Sequence, residues 1–332
     1  MKLFQDYAKP ASLDEAVKTL SEGPKNTAVL AGGTDLLLEI RQGRHPEVEL
    51  LVDITEVKEM GTITLEEGKV FLGAAATHQQ IISNPIIREN AQCVVEGCGL
   101  VGGPQVRNIA TIGGNVAHSL PAADGTVALL SMDTEVLLAS REGSRWQPLI
   151  EIFAGPGKVT FDRSRELVVG FRFQKKSEGE ASAFHRVMRP QGVAIAILNM
   201  SAWVKLAGEQ VADIRISCGP AGPKPFRGYE TEKFIKKKSI YEGFFTEASR
   251  ILGEEVSVRT SAHRATKEYR RQLLPVLLQQ VLEKAVSRSI EQPYHLKDGS
   301  HEYPAIKGTV PSKRYCIISL APGLSISYPV YV

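Results

Sequence analysis

The sequence predicts an α+β protein of two domains, and three observations support this prediction. The chain has 332 residues, which is more than one ordinary hydrophobic core accommodates. Its first half mixes short apolar runs, typical of strands, with helix-forming stretches. Its second half begins with paired apolar runs and continues with helical periodicity. Hydrophobic residues make up 43% and charged residues 23%, the profile of a globular protein.

The first elements form a small unit of alternating helices and strands. Ser12 is followed three residues later by Glu15, a spacing that predicts a capped helix start. The apolar run 27–30 predicts a buried strand, and a helix is expected from Asp35. The run 50–54 predicts the next strand.

A second group of elements begins near residue 63. Residues 63–65 and 69–73 flank Glu66-Glu67-Gly68 and predict a β-hairpin. Helices are expected over 77–82, 85–98 and 126–132, and strands over 135–139 and 167–173.

The polar segment 175–180 interrupts this pattern and predicts the linker to a second domain. Beyond it, 193–205 and 211–218 are expected to be paired strands. Residues 269–285 show the clearest helical spacing of leucines, although Pro275 should end or kink a turn there. Residues 290–332 have no clear period and are expected to form an irregular tail.

Composition argues against several classes of protein. A net charge of +3 is too close to balance to indicate a nucleic-acid partner. No apolar run approaches the roughly 20 residues that a membrane helix needs. The first ten residues lack the hydrophobic region of a signal peptide, so a cytoplasmic location is expected.

Side chains that could carry chemistry directly are scarce. The four cysteines, Cys93, Cys98, Cys218 and Cys316, do not group into a metal or iron–sulfur motif, so no metal site is expected. The seven histidines are dispersed, and neither H-E-x-x-H nor G-x-S-x-G occurs. Chemistry carried by a bound cofactor fits this composition.

Two glycine pairs are the strongest local signals. Gly32-Gly33 follows the predicted strand 27–30, and Gly113-Gly114 lies within 110–115. Glycine lets backbone N–H groups approach an anion closely, so the pair of loops could cradle phosphates. Taken alone, the first loop is better explained as a plain strand–helix turn, since Gly-Gly turns are common, and the second could likewise be a tight turn. Asp124 could then accept hydrogen bonds from sugar hydroxyls, or simply cap the helix that follows.

Neither glycine pair belongs to a common nucleotide-binding motif. The chain contains no G-x-G-x-x-G and no G-x-x-x-x-G-K-[ST]. The usual dinucleotide and mononucleotide folds are therefore disfavoured.

Four segments together resemble a known family. They are AGGTDLL at 31–37, LGAAATH at 72–78, PQVRNIATIGGNVAHSLPAADGTVALL at 104–130 and ELVVGFRF at 166–173. In this order they resemble the FAD-binding subunit of molybdenum hydroxylases, which includes the medium subunit of carbon monoxide dehydrogenase and the FAD subunit of xanthine dehydrogenase. The resemblance extends over about residues 1–287 and is most specific at 104–124.

The resemblance implies a fold. Residues 1–175 would form a vanillyl-alcohol-oxidase-type (PCMH-type) FAD-binding domain with subdomains at about 1–58 and 59–175. Residues 176–289 would form a small domain of antiparallel sheet and helices, like the C-terminal domain of the carbon monoxide dehydrogenase flavoprotein.

The resemblance also implies the residues that bind FAD. The loop 29–36 and the loop 110–115 would hold the pyrophosphate, Asp124 the FAD hydroxyls, and Leu167 the region near the isoalloxazine. His185 stands where similar chains carry a lysine, and Val193 where others carry an aromatic residue. The implied set is Val29, Leu30, Ala31, Gly32, Gly33, Thr34, Asp35, Leu36, Val101, Ala110, Thr111, Gly113, Gly114, Asn115, Asp124, Leu167 and His185.

The function that the resemblance implies is electron transfer. An iron–sulfur small subunit and a molybdopterin-binding large subunit would supply electrons to FAD on this chain, and NAD, a quinone or oxygen would accept them. Two other interpretations stay open. The chain could be a stand-alone FAD oxidase of the vanillyl-alcohol type, or an assembly module that has the fold without FAD.

Overall fold

A computed structural model describes residues 3–190, 194–240, 243–262 and 264–290, together with the backbone of two short strands near the C-terminus. Residues 1–291 form one compact unit, and the strands Ile318–Leu320 and Leu324–Ile326 belong to a second unit. These two strands pair antiparallel. The rest of the predicted irregular tail lies outside the described residues.

The chain begins with a parallel three-stranded sheet. Its strand order is β1-β3-β2, and its helices α1 and α2 follow β1 and β2. The Ser12 hydroxyl accepts a hydrogen bond from the Glu15 backbone N–H, so the predicted cap is confirmed. The first strand was not predicted, because three of its five residues are exposed and show no apolar alternation. The elements are β1 (Phe4–Ala8), α1 (Leu13–Glu22), β2 (Thr27–Leu30), α2 (Leu36–Arg41) and β3 (Val48–Asp53).

An antiparallel five-stranded sheet follows, in the order β4-β5-β10-β6-β7. The predicted hairpin is confirmed as β4 and β5. Six short helices are inserted between β5 and β6. Two short strands, β8 and β9, pair with each other beside this sheet. The elements are β4 (Ile63–Glu66), β5 (Lys69–Gly73), α3 (His78–Ser83), α4 (Pro85–Asn90), α5 (Gln92–Gly99), α6 (Pro104–Arg107), α7 (Ile112–Ala117), α8 (Asp124–Ser131), β6 (Glu135–Ser140), β7 (Gly143–Pro148), β8 (Phe153–Gly155), β9 (Lys158–Val159) and β10 (Leu167–Gln174).

The single helix predicted over 85–98 is wrong, because the chain breaks it at Ala91. Ala91 has φ −148° and ψ 65°, outside the helical region. The preceding Asn90 accepts a hydrogen bond from the Lys176 backbone N–H at 2.9 Å. This contact ties the break to a segment 86 residues away, so helical periodicity alone could not predict it.

The last sheet is antiparallel and follows chain order, β11-β12-β13-β14, with three helices after it. The prediction for this part needs two corrections. Strand β11 lies where no strand was predicted, and β12 begins at Leu198 rather than at Val193, which is outside the described residues. The elements are β11 (Glu180–Val187), β12 (Leu198–Ala207), β13 (Gln210–Gly219), β14 (Phe226–Arg227), α9 (Tyr229–Ile235), α10 (Phe245–Glu255) and α11 (Lys267–Ile290).

Helix α11 continues through Pro275, so of the two effects expected of this proline, ending or kinking a turn, the helix does not end there. Leu274, Leu277 and Leu278 are at most 1% exposed. Burying one leucine contributes roughly 1.5–3 kcal/mol. A proline inside a helix costs about 3 kcal/mol. Packing of the buried face therefore outweighs the local preference.

Two large cores organise residues 3–290. One lies beneath the antiparallel five-stranded sheet and its inserted helices, and the other lies between the last sheet and α11. Helices α5 and α8 pack against β11, β12 and β13 and so join the two halves. The mixed helix-and-sheet fold class is thereby confirmed. In the part of the chain that the structure describes, no helix is long and apolar enough to cross a membrane.

Candidate functional site

A cavity of about 830 Å³ opens at the carboxyl end of strand β2. Its walls come from both glycine loops, from the start of α8, from β10 and from the last sheet and the loop before α11. Ligand sites of small molecules typically occupy about 300–1,000 Å³. The size therefore suits a ligand as large as a dinucleotide.

The first glycine loop, residues 31–35, presents a row of unused backbone donors. Gly33 has φ +67°, a conformation that favours glycine. Among the described residues, the N–H groups of Gly32, Gly33, Thr34 and Asp35 donate to no acceptor of the protein. Successive free amides around a left-handed residue form a concave site for an anion. This loop is therefore suited to hold a phosphate group.

The two glycine loops touch at Gly32. A Cβ atom at Gly32 would lie 2.3 Å from the Ile109 carbonyl oxygen and 2.8 Å from the Ala110 Cα atom. Both neighbours are backbone atoms, which cannot move aside cheaply. Glycine at position 32 is thus required to bring the two loops together.

The second glycine loop, residues 110–115, has a different construction. Its N–H groups already donate within the protein. The Gly113 N–H donates to the Ala74 backbone oxygen, and the Asn115 N–H donates to the Thr111 backbone oxygen. Gly114 donates to the Thr111 hydroxyl at 3.1 Å. A Cβ atom at Gly113 would lie 2.6 Å from the Ala74 oxygen, whereas one at Gly114 would meet only the Thr111 hydroxyl, at 3.2 Å. Gly113 is therefore a packing glycine, and Gly114 leaves the cavity wall open.

Asp124 lies in the cavity wall at the start of α8. Its side chain is 7% exposed and pairs with Arg186, whose side chain is 6% exposed. Asn199 donates from Nδ2 to Asp124 Oδ1 at 2.7 Å. Burial raises the pKa of Asp124, while the adjacent Arg186 opposes the shift. The carboxylate is thus an integral part of the wall, and it does not cap α8, whose N-cap residue is Ala123.

The structure brings nearly all of the predicted residues to this cavity. Leu167 lies in its wall and is 3% exposed. The predicted residues that line the cavity are Val29, Ala31, Gly32, Gly33, Thr34, Asp35, Leu36, Val101, Ala110, Thr111, Gly113, Gly114, Asn115, Asp124 and Leu167.

Two predicted residues do not line the cavity. Leu30 packs with the small core beside the parallel sheet. His185 lies near Lys284 and Glu96, and burial lowers its pKa. Successive side chains of a strand point to opposite faces, so on β11 Arg186 faces the cavity and His185 does not. The cavity wall therefore contains Arg186, the residue that follows the predicted His185 on β11. Val193 lies outside the described residues.

Other residues of the cavity wall were not predicted from the sequence. Arg163 donates hydrogen bonds to the backbone oxygens of Ala117 and Gly157 and so holds the end of α7. His118 approaches Glu39, with Nε2 3.7 Å from Oε1. His78 is 1% exposed, and burial lowers its pKa to about 4. These residues come from separate elements, so no single local motif groups them. His78 and His118 lie within the family-like segments 72–78 and 104–130, which was the one available signal.

A cavity of this size with free amides at a strand end is typical of a protein that binds a phosphate-bearing nucleotide cofactor. Comparison with known proteins identifies the family. Residues 2–173 match the FAD binding domain in molybdopterin dehydrogenase, and residues 182–285 match the CO dehydrogenase flavoprotein C-terminal domain. The chain belongs to this family of FAD-binding oxidoreductase subunits, and its cofactor is FAD.

Individual relatives support this assignment over most of the chain. The xanthine dehydrogenase FAD-binding subunit of Escherichia coli O157:H7 is 29% identical over 287 residues, which is 86% of this chain and 97% of that protein. The nicotinate dehydrogenase FAD-subunit of Eubacterium barkeri is 33% identical over 237 residues, 69% of this chain and 79% of that protein.

A solved structure shows the same fold. It is a chain of the carbon monoxide dehydrogenase from Hydrogenophaga pseudoflava that lacks the Mo-pyranopterin moiety of the molybdenum cofactor. The TM-score is 0.81 at 25% identity, covering 86% of this chain and 98% of that chain.

Proposed function

We propose that this chain is the flavin module of a multi-subunit molybdenum hydroxylase. In this proposal electrons reach FAD from iron–sulfur clusters on a partner subunit, whose own source is a molybdopterin-binding subunit, and leave to an external acceptor. The observation that carries the proposal is the cavity, which combines a row of free amides with an apolar wall and an open mouth. FAD, when bound, supplies the electron transfer that no side chain here performs.

The cavity residues have distinct proposed roles. The free amides of the first glycine loop would hold the pyrophosphate, and Gly114 would allow the cofactor to approach α7 closely. Leu167 would pack beside the isoalloxazine. Asp124 would keep Arg186 and Asn199 in place and accept a hydrogen bond from a sugar hydroxyl through a remaining lone pair.

The burial of the cysteines supports the proposal that the iron–sulfur clusters are bound by another subunit. Cys93, Cys98 and Cys218 are each buried, and burial raises the pKa of all three thiols. Iron–sulfur clusters are held by thiolates, usually four of them. The three described cysteines are therefore core residues. Over the same described ranges, no group of three or more His, Cys, Asp or Glu side chains could hold a metal ion.

Exposed apolar side chains at the mouth of the cavity support the proposal that a partner subunit binds there. Val106, Leu120 and Ile195 line the cavity and are 37%, 38% and 54% exposed. Ile109, next to the second glycine loop, is 56% exposed. Apolar side chains grouped at one surface favour a protein contact. A partner seated there would bring its cluster close to the flavin and would cover these side chains.

The finer description of the fold belongs to this proposal. We assign residues 1–175 to the vanillyl-alcohol-oxidase (PCMH) type of FAD-binding domain and residues 176–289 to a second domain, with a cytoplasmic location. The separate cores of the two halves support the boundary. The matched family segments, 2–173 and 182–285, end and begin on either side of it.

Two measurements test the function. The purified full chain should bind FAD and show the two visible absorption bands of oxidised flavin, and a colourless protein after incubation with FAD would favour the assembly-module interpretation. The chain isolated from its native cells should elute with iron and molybdenum. If it elutes alone with FAD and consumes oxygen with an alcohol substrate, the stand-alone oxidase is correct and the subunit proposal is wrong.

A further inference from the structure

Three arginines converge on the cavity from the segment that precedes α11. Arg259, Arg264 and Arg270, the arginine trio, all line its wall. They lie in a short loop and in the first turns of the helix, near Pro220 and Gly222, which also line the cavity. The trio is therefore contributed by the second half of the chain, whereas the first glycine loop comes from the start.

Hydrogen bonds within the loop that carries Arg259 and Arg264 hold it in place. Ser261 donates its backbone N–H to the Ala265 oxygen, and Arg264 donates to the Ser261 oxygen. The Lys267 backbone N–H donates to the Thr260 hydroxyl at 3.0 Å. A loop closed by such bonds holds its side chains in position with little loss of entropy when a ligand binds.

Among the described residues, no carboxylate forms an ion pair with the trio. Two other arginines with buried side chains have acidic partners: Arg186 pairs with Asp124, and Arg227 with Glu232. Within the described residues, no ion pair involves any member of the trio. Burial lowers the pKa of Arg264 and Arg270, and their arginine neighbours lower it further.

Arg270 distinguishes this cluster from a solvated surface. It is 2% exposed, and its Nη1 atom donates only a long hydrogen bond of 3.4 Å to the Pro220 oxygen. Its Nε atom is buried without a partner. A buried, unpaired guanidinium donor costs free energy unless a ligand completes it. Arg264 is half-buried and Arg259 is exposed, so the three charges lead from the surface to the interior.

We propose that the arginine trio is a phosphate-binding subsite of the cavity. Guanidinium groups match phosphate oxygens in geometry and charge, and several of them bind a diphosphate better than any single contact. This inference rests on the proposed function only in that FAD occupies the same cavity. Two sources could supply the phosphate: the pyrophosphate of FAD itself, or a phosphate-bearing electron acceptor such as a pyridine dinucleotide.

The test compares Arg264→Gln with Arg271→Gln in the full chain. Arg271 is the exposed neighbour of Arg270 on α11 and serves as the matched control. The probes are FAD, FMN, inorganic pyrophosphate and NADH, with binding measured by calorimetry on apo and FAD-loaded protein. Arg264→Lys, which keeps the charge but loses the bidentate geometry, should fall between the wild type and Arg264→Gln.

Each outcome has a distinct meaning. If the trio binds the FAD pyrophosphate, Arg264→Gln should weaken FAD at least tenfold and leave FMN unchanged, and FAD-loaded wild type should not bind pyrophosphate. If it binds an acceptor, FAD affinity should be unchanged, while FAD-loaded wild type binds NADH and pyrophosphate and the variant binds them at least tenfold more weakly. Both results support the subsite.

Equal affinities of Arg264→Gln and Arg271→Gln for all four probes would overturn the proposal that the arginine trio binds phosphate. Pyrophosphate binding to the apo protein keeps this test independent of the function proposal. If the chain never binds FAD, the electron-transfer role fails, but a loss of pyrophosphate binding in Arg264→Gln would still establish the subsite.

Discussion

The two glycine loops look alike in sequence and are built differently in space. Gly32-Gly33 lies in a loop whose amides are free, whereas Gly113-Gly114 opens a helix whose amides are already bonded within the protein. The first loop is thus suited to hold an anion. The second loop serves mainly for close packing: a Cβ atom at Gly113 would collide with Ala74, whereas one at Gly114 would meet only the Thr111 hydroxyl.

The difference shows that a glycine pair does not by itself reveal its purpose. Glycine can free a backbone for a ligand, as around Gly33, or allow two backbones to approach, as at Gly32 and Gly113. Each purpose predicts a different response to an added side chain. Four experiments separate them, beginning with the largest expected effect.

Gly32→Val should damage both folding and FAD binding. Its Cβ atom would meet backbone atoms of Ile109 and Ala110 at 2.3 and 2.8 Å, so the loops must separate. We expect a loss of at least 3 kcal/mol in unfolding free energy, near the upper end of about 1–3 kcal/mol for overpacking, and FAD binding weakened more than about 100-fold, which is roughly 2.7 kcal/mol. Urea denaturation and FAD titration measure these. If the variant keeps the wild-type unfolding free energy and FAD affinity, the close contact between the two glycine loops is not required for either.

Acidification should destabilise the support of the second glycine loop through His78. The His78 backbone N–H donates to the Ala110 oxygen, and its buried ring has a pKa of about 4. The unfolded ring titrates near 6.5, so the unfolded state binds more protons between these values. The contribution of the neutral His78 ring to the unfolding free energy is therefore complete above pH 6.5. It is lost as the pH falls towards 4, and the total loss is about 3 kcal/mol.

The measurement is the pH dependence of unfolding by urea, in the wild type and in His78→Gln. Glutamine does not titrate, so the variant should have a shallower slope between pH 4 and 6.5. Identical slopes would mean that His78 is not kept neutral by its burial.

Gly114→Val should weaken FAD binding without harming the fold. Its Cβ atom would meet only the Thr111 hydroxyl at 3.2 Å, and valine is a better helix residue than glycine. We expect FAD affinity to fall at least tenfold, about 1.4 kcal/mol, with unchanged thermal stability. Gly253→Val is the control, since Gly253 also lies in a helix but is away from the cavity wall, and its added Cβ atom would have nothing within 4 Å. Equal FAD affinity in both variants would show that the cofactor does not approach α7.

Thr111→Ala should have the smallest effect. The Thr111 hydroxyl accepts the Gly114 N–H and caps α7, and losing such a cap costs about 1 kcal/mol. Thr111→Ser keeps the hydroxyl and should retain most of that stability. The midpoints of thermal unfolding distinguish the two variants, and equal losses in both would assign the role to the Thr111 methyl group.

Much of the local structure was predictable because its causes are local. The Ser12 cap and the β4–β5 hairpin depend on residues within one or two turns of each other. The glycine loops and Asp124 were predictable as candidate site residues because they lie in segments characteristic of a family, and they line the cavity. Whether their amides are free could not be predicted, because the acceptors of Gly113 and Ile112 are backbone oxygens of Ala74 and Ala76, far away in the chain.

Other features escaped because long-range contacts create them. Strand β1 pairs in parallel with β3 across about 44 residues, and most of its side chains are exposed, so no alternation marks it. His185 was predicted at the site in place of Arg186, because the face of a buried strand is set by its partners. The arginine trio has no sequence signature, since its spacing matches neither a helix face nor a strand face.

The sequence by itself determined the family, the cofactor and most segments that line the candidate cavity, because short-range patterns such as AGGTDLL and TIGGN are recognisable without reference to the rest of the chain. Only the tertiary structure decided which amides of the described residues are free, which side of β11 faces the cavity, and that three arginines without a described acidic partner line one wall of it. Each of these depends on hydrogen-bond partners and burial supplied by residues far away in the sequence, and no local pattern encodes them.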